Sequence, residues 1–109
     1  MTDEHVVVDF RLTPAVAQQR IRAAALNSAN IIWGNHVLER MELRGIVRQD
    51  ILRVLRSGDV DDSPEKANSN EWKCKITLKI RGSRTAGVIV IILPDGRLFL
   101  KTVEWEDSK

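Results

Sequence analysis

The spacing of apolar residues along this chain is first helical and then alternating. In residues 36–58, HVLERMELRGIVRQDILRVLRSG, apolar positions recur every three or four residues, with one glycine in the middle and another at the end. Val37, Leu38 and Met41 form an apolar face, and His36, Arg40 and Arg44 recur every four residues as a polar stripe on the other side. Gly45 is placed to end this helix in the left-handed conformation. Ile51, Leu52 and Leu55 mark a second helix, which begins near Val47 or Arg48 and ends at Gly58 in the same manner. Val47 offers no side-chain cap, and Asp50 supports the helix start through the dipole. Upstream, Thr13 and Pro14 read as the N-cap and first residue of a helix reaching about Asn30. Ile31, Ile32 and Trp33 read as an apolar link, and Asn35 as the cap of the His36 helix.

From Trp72 the period becomes two. Trp72, Cys74, Ile76, Leu78 and Ile80 alternate with Lys73, Lys75, Thr77, Lys79 and Arg81, which predicts a half-buried strand with a basic outer face. The unbroken apolar run Ala86–Leu93 predicts a central strand covered on both faces. Pro94-Asp95-Gly96 is a hairpin turn, and Leu98–Trp105 the last strand. The tract DVDDSPEKANSNE after Gly58 reads as a polar surface loop. Residues 5–12, HVVVDFRL, read as a further strand or as an extended N-terminus. The expected fold is α+β, with N-terminal helices packed on one face of a three- to four-stranded antiparallel sheet. One domain is expected over residues 1–109, divided into an N-terminal extension with a helix (1–33) and a core (34–105). Met41, Leu52, Leu55, Ile76, Leu78, Val90 and Ile92 are the expected core.

Composition narrows the function classes. The 109 residues are 43% apolar, enough for one small core, and carry a formal net charge of +2. The single cysteine, Cys74, excludes an internal disulfide and suits a reducing cytoplasm. The start MTDEHVVV lacks the pattern of a signal peptide, and the run from Ala86 to Leu93 is too short for a bilayer span. A soluble cytoplasmic protein with no membrane partner is expected. His5, His36 and Cys74 share no ligand spacing, and the six glycines form no phosphate loop, so neither metal nor cofactor is expected. Cys74 falls on the apolar phase of its strand, which argues against a nucleophilic role.

His36, Arg40, Met41, Glu42, Arg44, Gly45 and Ile46 stand as H-x-x-x-R-M-x-x-R-G-I, followed by Asp50, Ile51, Leu55 and Gly58 at helical spacing. A basic strand, an apolar strand and a closing strand with Thr102-Val103 come next. Over roughly residues 34–105 this resembles the bacterial domain-of-unknown-function family four-two-five-eight, a family regarded as similar in fold to RelE/barnase-like toxins. The family usually carries Ser or Thr where this chain has Val47. RelE-like toxins cleave messenger RNA, with basic sheet residues stabilising the phosphate. The resemblance therefore implies a small RNA-binding ribonuclease toxin, with RNA as substrate and an acidic antitoxin-like protein as partner. Many RelE-like toxins place a tyrosine near the C-terminus, and this chain has none.

Two residue sets are candidates for that chemistry. Cleavage through the 2′-OH needs a proton acceptor, a proton donor and positive charge at one phosphate, and His36 with Arg40 and Arg44 is the catalytic candidate. The competing reading is structural, with the arginines paired to Glu39, Glu42 or the Asp59–Asp62 loop. The nucleic-acid-binding candidate is the strand stripe Lys73, Lys75, Lys79 and Arg81, extended by Arg84, Arg97 and Lys101. Its competing reading is a solvated sheet face. The alternative to a ribonuclease is a non-catalytic module that binds a protein partner or nucleic acid through the same basic face. A third reading is a dimer built by the alanine-rich first helix. Trp33 and Trp72 read as packing residues.

Overall fold

The computed structural model describes residues 11–107. Helix α1 spans Pro14–Ala25. Thr13 caps it, its Oγ1 accepting the Val16 N–H at 3.2 Å. The helix stops short of Asn30 because two asparagines offer the backbone other partners. Asn27 Oδ1 accepts the Ala29 N–H (3.0 Å) and Asn30 Nδ2 donates to the Ala24 carbonyl (3.0 Å), and a 3-10 turn at Ser28–Asn30 follows. Ile31–Trp33, expected as a link, is strand β1.

Helix α2, Asn35–Arg44, is capped at Gly34 and not at Asn35, and ends at Gly45 with φ +68°. Helix α3 spans Arg48–Ser57. Its N-cap position Val47 has no oxygen to offer, and the Asp50 carboxylate instead accepts the Val47 N–H at 3.1 Å. Gly58 ends α3 with φ −78°, so the expected left-handed stop does not occur. The reason for glycine there is space. A Cβ on Gly58 would lie 2.5 Å from the Val54 carbonyl oxygen, 2.7 Å from that of Thr77 and 2.9 Å from Ile76 Cγ1. Removing the side chain lets the chain leave α3 directly against the next strand pair.

Strands β2 (Glu65–Lys66), β3 (Trp72–Arg81), β4 (Arg84–Ile92) and β5 (Leu98–Trp105) complete a sheet ordered β1-β5-β4-β3-β2. The sheet therefore has five strands, not three or four, and is not wholly antiparallel. The added strands are short edges. β1 pairs parallel with β5, Ile31 opposite Leu98 and Trp33 opposite Leu100, and β2 pairs antiparallel with β3 inside the tract expected as a loop. Residues 5–10 of the strand expected at the N-terminus lie outside the described residues, and Arg11 and Leu12 belong to neither helix nor strand.

The helices cover one face of this sheet. α2 lies on β5, α3 on β3 and β4, and α1 mainly against α3. Between them Ile21, Val37, Ile51, Leu55, Ile76, Val88, Val90, Leu98, Leu100 and Val103 are fully buried. Met41 and Ile92 join this core as expected, whereas Leu52 and Leu78 are only partly buried against it. β4 is internal, but among the described residues no helix covers its second face, where Ile89 is half-buried.

Arginines of the helix layer satisfy carbonyls left over at helix ends. Arg22 of α1 donates to the Gly58 carbonyl (3.0 and 2.7 Å) and the Ser57 carbonyl (3.1 Å), and meets Asp59 at 3.2 Å. Arg56 returns the arrangement, its Nε donating to the Ala25 carbonyl at 2.8 Å. Two positive side chains thus sit at two helix C-termini, where the dipole favours them. Among the described residues no helix is long and apolar enough to cross a membrane.

Leu55→Ala is expected to cost about 2–5 kcal/mol, since it empties space between α3 and the sheet. A denaturant melt measures it, and a loss well below ~1 kcal/mol would contradict the packing described.

Candidate functional site

Alternation in β3, β4 and β5 sends one set of side chains to the helices and the other to the opposite face. Register orders the second set into rows. Lys73, Ile91 and Phe99 lie side by side, then Lys75, Ile89 and Thr102, then Thr77, Gly87 and Glu104. A register shift at Ile89/Val90 places Leu100 opposite Val90 and Thr102 opposite Ile89, leaving Lys101 as an extra residue in β5. Lys101 is exposed beside the first row.

This first row floors a groove of about 580 Å³. Its apolar floor is Ile91, Leu93 and Phe99, and Lys73 and Lys101 stand around it, with Glu65 and Glu71 at the β2 side. Lys66 lines it from β2, but register sets it opposite Trp72 and its ammonium lies 5.6 Å from that ring, on the helix side of the sheet. Lys73 approaches Glu65 at 3.7 Å, an exposed pair of little strength. Phe99 is held by its edge, since a Cβ at Gly34 would stand 2.7 Å from its Cζ.

Two rows away the charge reverses. Lys75 Nζ reaches over Gly87 to Glu106 at 2.8 Å and Glu104 at 3.5 Å. Its hydrogen bond to Glu106, with the charges of both glutamates, holds its ammonium above the usual lysine range. Asp61 and Asp62 line a neighbouring cleft with Lys75, Thr77, Thr85 and Glu106. Strand β3 alone shows only bases, but β5, on the far side of β4, and Glu106 just beyond its end supply the acids.

The remaining members of the expected basic stripe are elsewhere. A register shift between Lys79 and Arg81 pairs Arg81 with Arg84 and turns Arg81 to the helix face. There it meets Asp50 at 2.6 Å and lies 5.9 Å from the Trp105 ring. Arg84 stacks on the same ring at 4.0 Å and pairs with Asp107 at 3.3 Å. The buried Trp105 donates its indole N–H to the Arg44 carbonyl at 3.0 Å, joining the last strand to the end of α2. Arg97 is engaged within the β4–β5 turn, where its backbone N–H and guanidinium hold the Asp95 carboxyl below the usual range. Lys79 is exposed on the same face as Lys73 and Lys75.

His36 is exposed on α2, and its Nε2 accepts from Arg40 Nε at 3.2 Å. The stripe His36, Arg40 and Arg44 belongs to the helix layer, and the lysine rows face away from that layer. The sheet itself separates the two candidate sets. Asp59, one of the acids considered for Arg40 and Arg44, pairs with Arg22.

Cys74 is buried, and burial pushes its thiol up to about 11, well away from the thiolate a nucleophile needs. No cluster of metal-ligating side chains occurs among the described residues. The tryptophans serve packing and cation contacts, Trp33 under Arg48 at 4.6 Å and Trp72 beside Lys66 at 5.6 Å. Sequence reasoning passed over Phe99 and Lys66. The signal for Phe99 was present, because alternation from Leu98 and Leu100 puts it in phase with the polar side.

Fold and site together define a small α+β domain with a one-sided sheet, whose helix-free face is basic and aromatic at one end and acidic at the other. The model of the family described as Domain of unknown function (DUF4258) matches residues 33–105, about two thirds of the chain, and the chain belongs to this family. No significant match is found among curated proteins or solved structures.

Asp50→Ala is expected to lower stability by about 1–3 kcal/mol, since it removes both the cap on Val47 and the partner of Arg81. Asp50→Asn keeps an acceptor for the cap and should lose less. Equal losses for the two variants in urea melts would contradict this division.

Proposed function

We propose that this protein is a non-catalytic module that binds RNA on the helix-free face of its sheet. The observation that carries this reading is the groove in which Lys73 and Lys101 flank the floor of Ile91, Leu93 and Phe99. Lysines supply phosphate contacts and an exposed ring supplies a surface for a base, the two parts from which single-strand binding sites are made. An acidic protein surface would also be drawn to the lysines, but Glu65, Glu71, Glu104 and Glu106 on the same face oppose a broad acidic partner.

The reading as a ribonuclease toxin has less support. Cleavage needs base, acid and cation on one phosphate. His36, Arg40 and Arg44 lie on the other side of the sheet from the lysines.

Two lysine contacts give a salt slope of about 1.4 for a single strand, at roughly 0.7 per phosphate, with weak affinity in the ~10⁻⁴–10⁻⁶ M range. Replacing Lys73 and Lys101 together by Ala should weaken binding to an unstructured RNA and reduce the slope to below ~1. Titrations by fluorescence anisotropy over a salt series measure this. An unchanged slope, or no binding by the wild type at low salt, would overturn the reading.

A further inference from the structure

We propose that the groove takes a short single-stranded segment with one base stacked on Phe99, and that Glu104 and Glu106 end the site by withholding Lys75 from phosphate. This rests on the RNA-binding reading and goes beyond it in naming the form of the ligand and the limit of the site.

The first part follows from where the ring is. Phe99 lies in the floor of the groove in one row with Ile91 and Lys73, and is partly exposed. Gly34 is its seat: the ring edge lies against that backbone, and any side chain there would press on Cζ and Cε1. The residue that seats an aromatic between Lys73 and Lys101 is thus a glycine whose φ of −70° any residue could adopt. A duplex presents its phosphates outside and keeps its base faces stacked on one another. Only an unpaired base can reach a ring at the floor of a groove while its own phosphates meet lysines at the rim.

The second part follows from Lys75. By register it stands one row from Lys73, about 7 Å along the same strand face, where a continuing strand would place its next phosphate. Gly87 removes the side chain between β3 and β5 in the following row. A Cβ there would collide with the Glu106 carboxylate and stand 3.3 Å from Lys75 Cδ. The gap is filled by the Lys75 side chain crossing to Glu106 and Glu104. One ammonium faces two carboxylates, with Asp61 and Asp62 on the adjoining cleft, so this end of the face repels a polyanion. The site consequently ends after the phosphates held by Lys73 and Lys101.

The test uses the full chain, a labelled oligouridine and a duplex RNA of similar length, titrated over a salt series. Phe99→Leu should weaken oligouridine binding about 5- to 100-fold and leave the salt slope unchanged. In the wild type, the Phe99 ring protons should shift in NMR spectra on adding oligouridine, a reading that needs no substitution. Glu104→Gln with Glu106→Gln should tighten binding and steepen the slope by about 0.7, the increment of one further phosphate. The duplex should bind more weakly than the single strand. Unshifted Phe99 protons at saturation, equal affinity for duplex, or an unchanged slope in the double glutamine variant would overturn the proposal. Each of these can occur while the Lys73 and Lys101 variants still lose binding. The inference can thus fail with the RNA-binding reading intact, whereas a wild type that binds no RNA ends both.

Discussion

In the three long strands every side chain that enters the helix layer leaves its neighbour pointing the other way. The apolar phase of β3 is set by Cys74 and Ile76, that of β4 by Ala86, Val88, Val90 and Ile92, and that of β5 by Leu98, Leu100, Val103 and Trp105. Burying that set fixes the opposite set without further choice. Lys73, Lys75, Ile89, Ile91, Phe99 and Glu104 occupy the helix-free face because their neighbours are needed in the core. A one-residue slip would exchange the two faces and is excluded by the loss of all this burial. The local departures are two register shifts. The one in β5 adds Lys101 to the open face while restoring Val103 and Trp105 to the core. The one near Ile80 takes Arg81 away from that face and gives it to Asp50.

The helix layer depends on the fate of its carbonyls. α3 ends where Gly58 packs closely against Thr77 and Val54, and Arg22 supplies donors to the Ser57 and Gly58 carbonyls left at its end. Arg56 does the same for α1, and Gln18 accepts the Val60 N–H at 2.9 Å. α1 lies before the stretch that matches the family, yet it is bound to it through backbone groups that any sequence would present at those positions. Several basic residues are thus spent on the fold. The overall charge of +2 conveys little, since Arg22, Arg56 and Arg81 act inside the structure and the lysines of the open face act outside it.

What could be read from the sequence was local. Thr13 as a cap, Gly45 as a left-handed stop, the apolar phases of β3 and β4 and the turn at Asp95-Gly96 each depend on neighbours in the chain. What could not be read depended on distant partners. Ile31–Trp33 is a strand only because β5 lies beside it, and three residues carry no period of their own. Gly58 looked like a second Gly45, because a glycine needed for space and one needed for positive φ are the same letter. Arg81 was in phase with the lysines until a register shift removed it, and shifts leave no mark in an alternating pattern. The acids that hold Lys75 sit in β5 and just after it, so a reading of β3 alone saw four bases and no counter-charge.

The position of His36 follows from the same one-sidedness. α2 must turn Val37 and Met41 to the sheet, which leaves His36 and Arg40 on the solvent side of the helix layer. No rotation of that helix could bring the histidine to the lysines without lifting Val37 and Met41 out of the core, because the sheet stands between them. The C-terminal end of α2 is the place where the helix layer and basic residues of the sheet do converge, with Trp105 bonded to Arg44 and flanked by Arg81 and Arg84. There each sheet arginine already has a carboxylate, Asp50 or Asp107, so the positive charge is answered within the fold. The groove of Lys73 and Lys101 is different in kind. Its exposed glutamates lie to the β2 side, its floor is apolar, and Lys101 owes its place to an extra residue that the packing of β5 does not use.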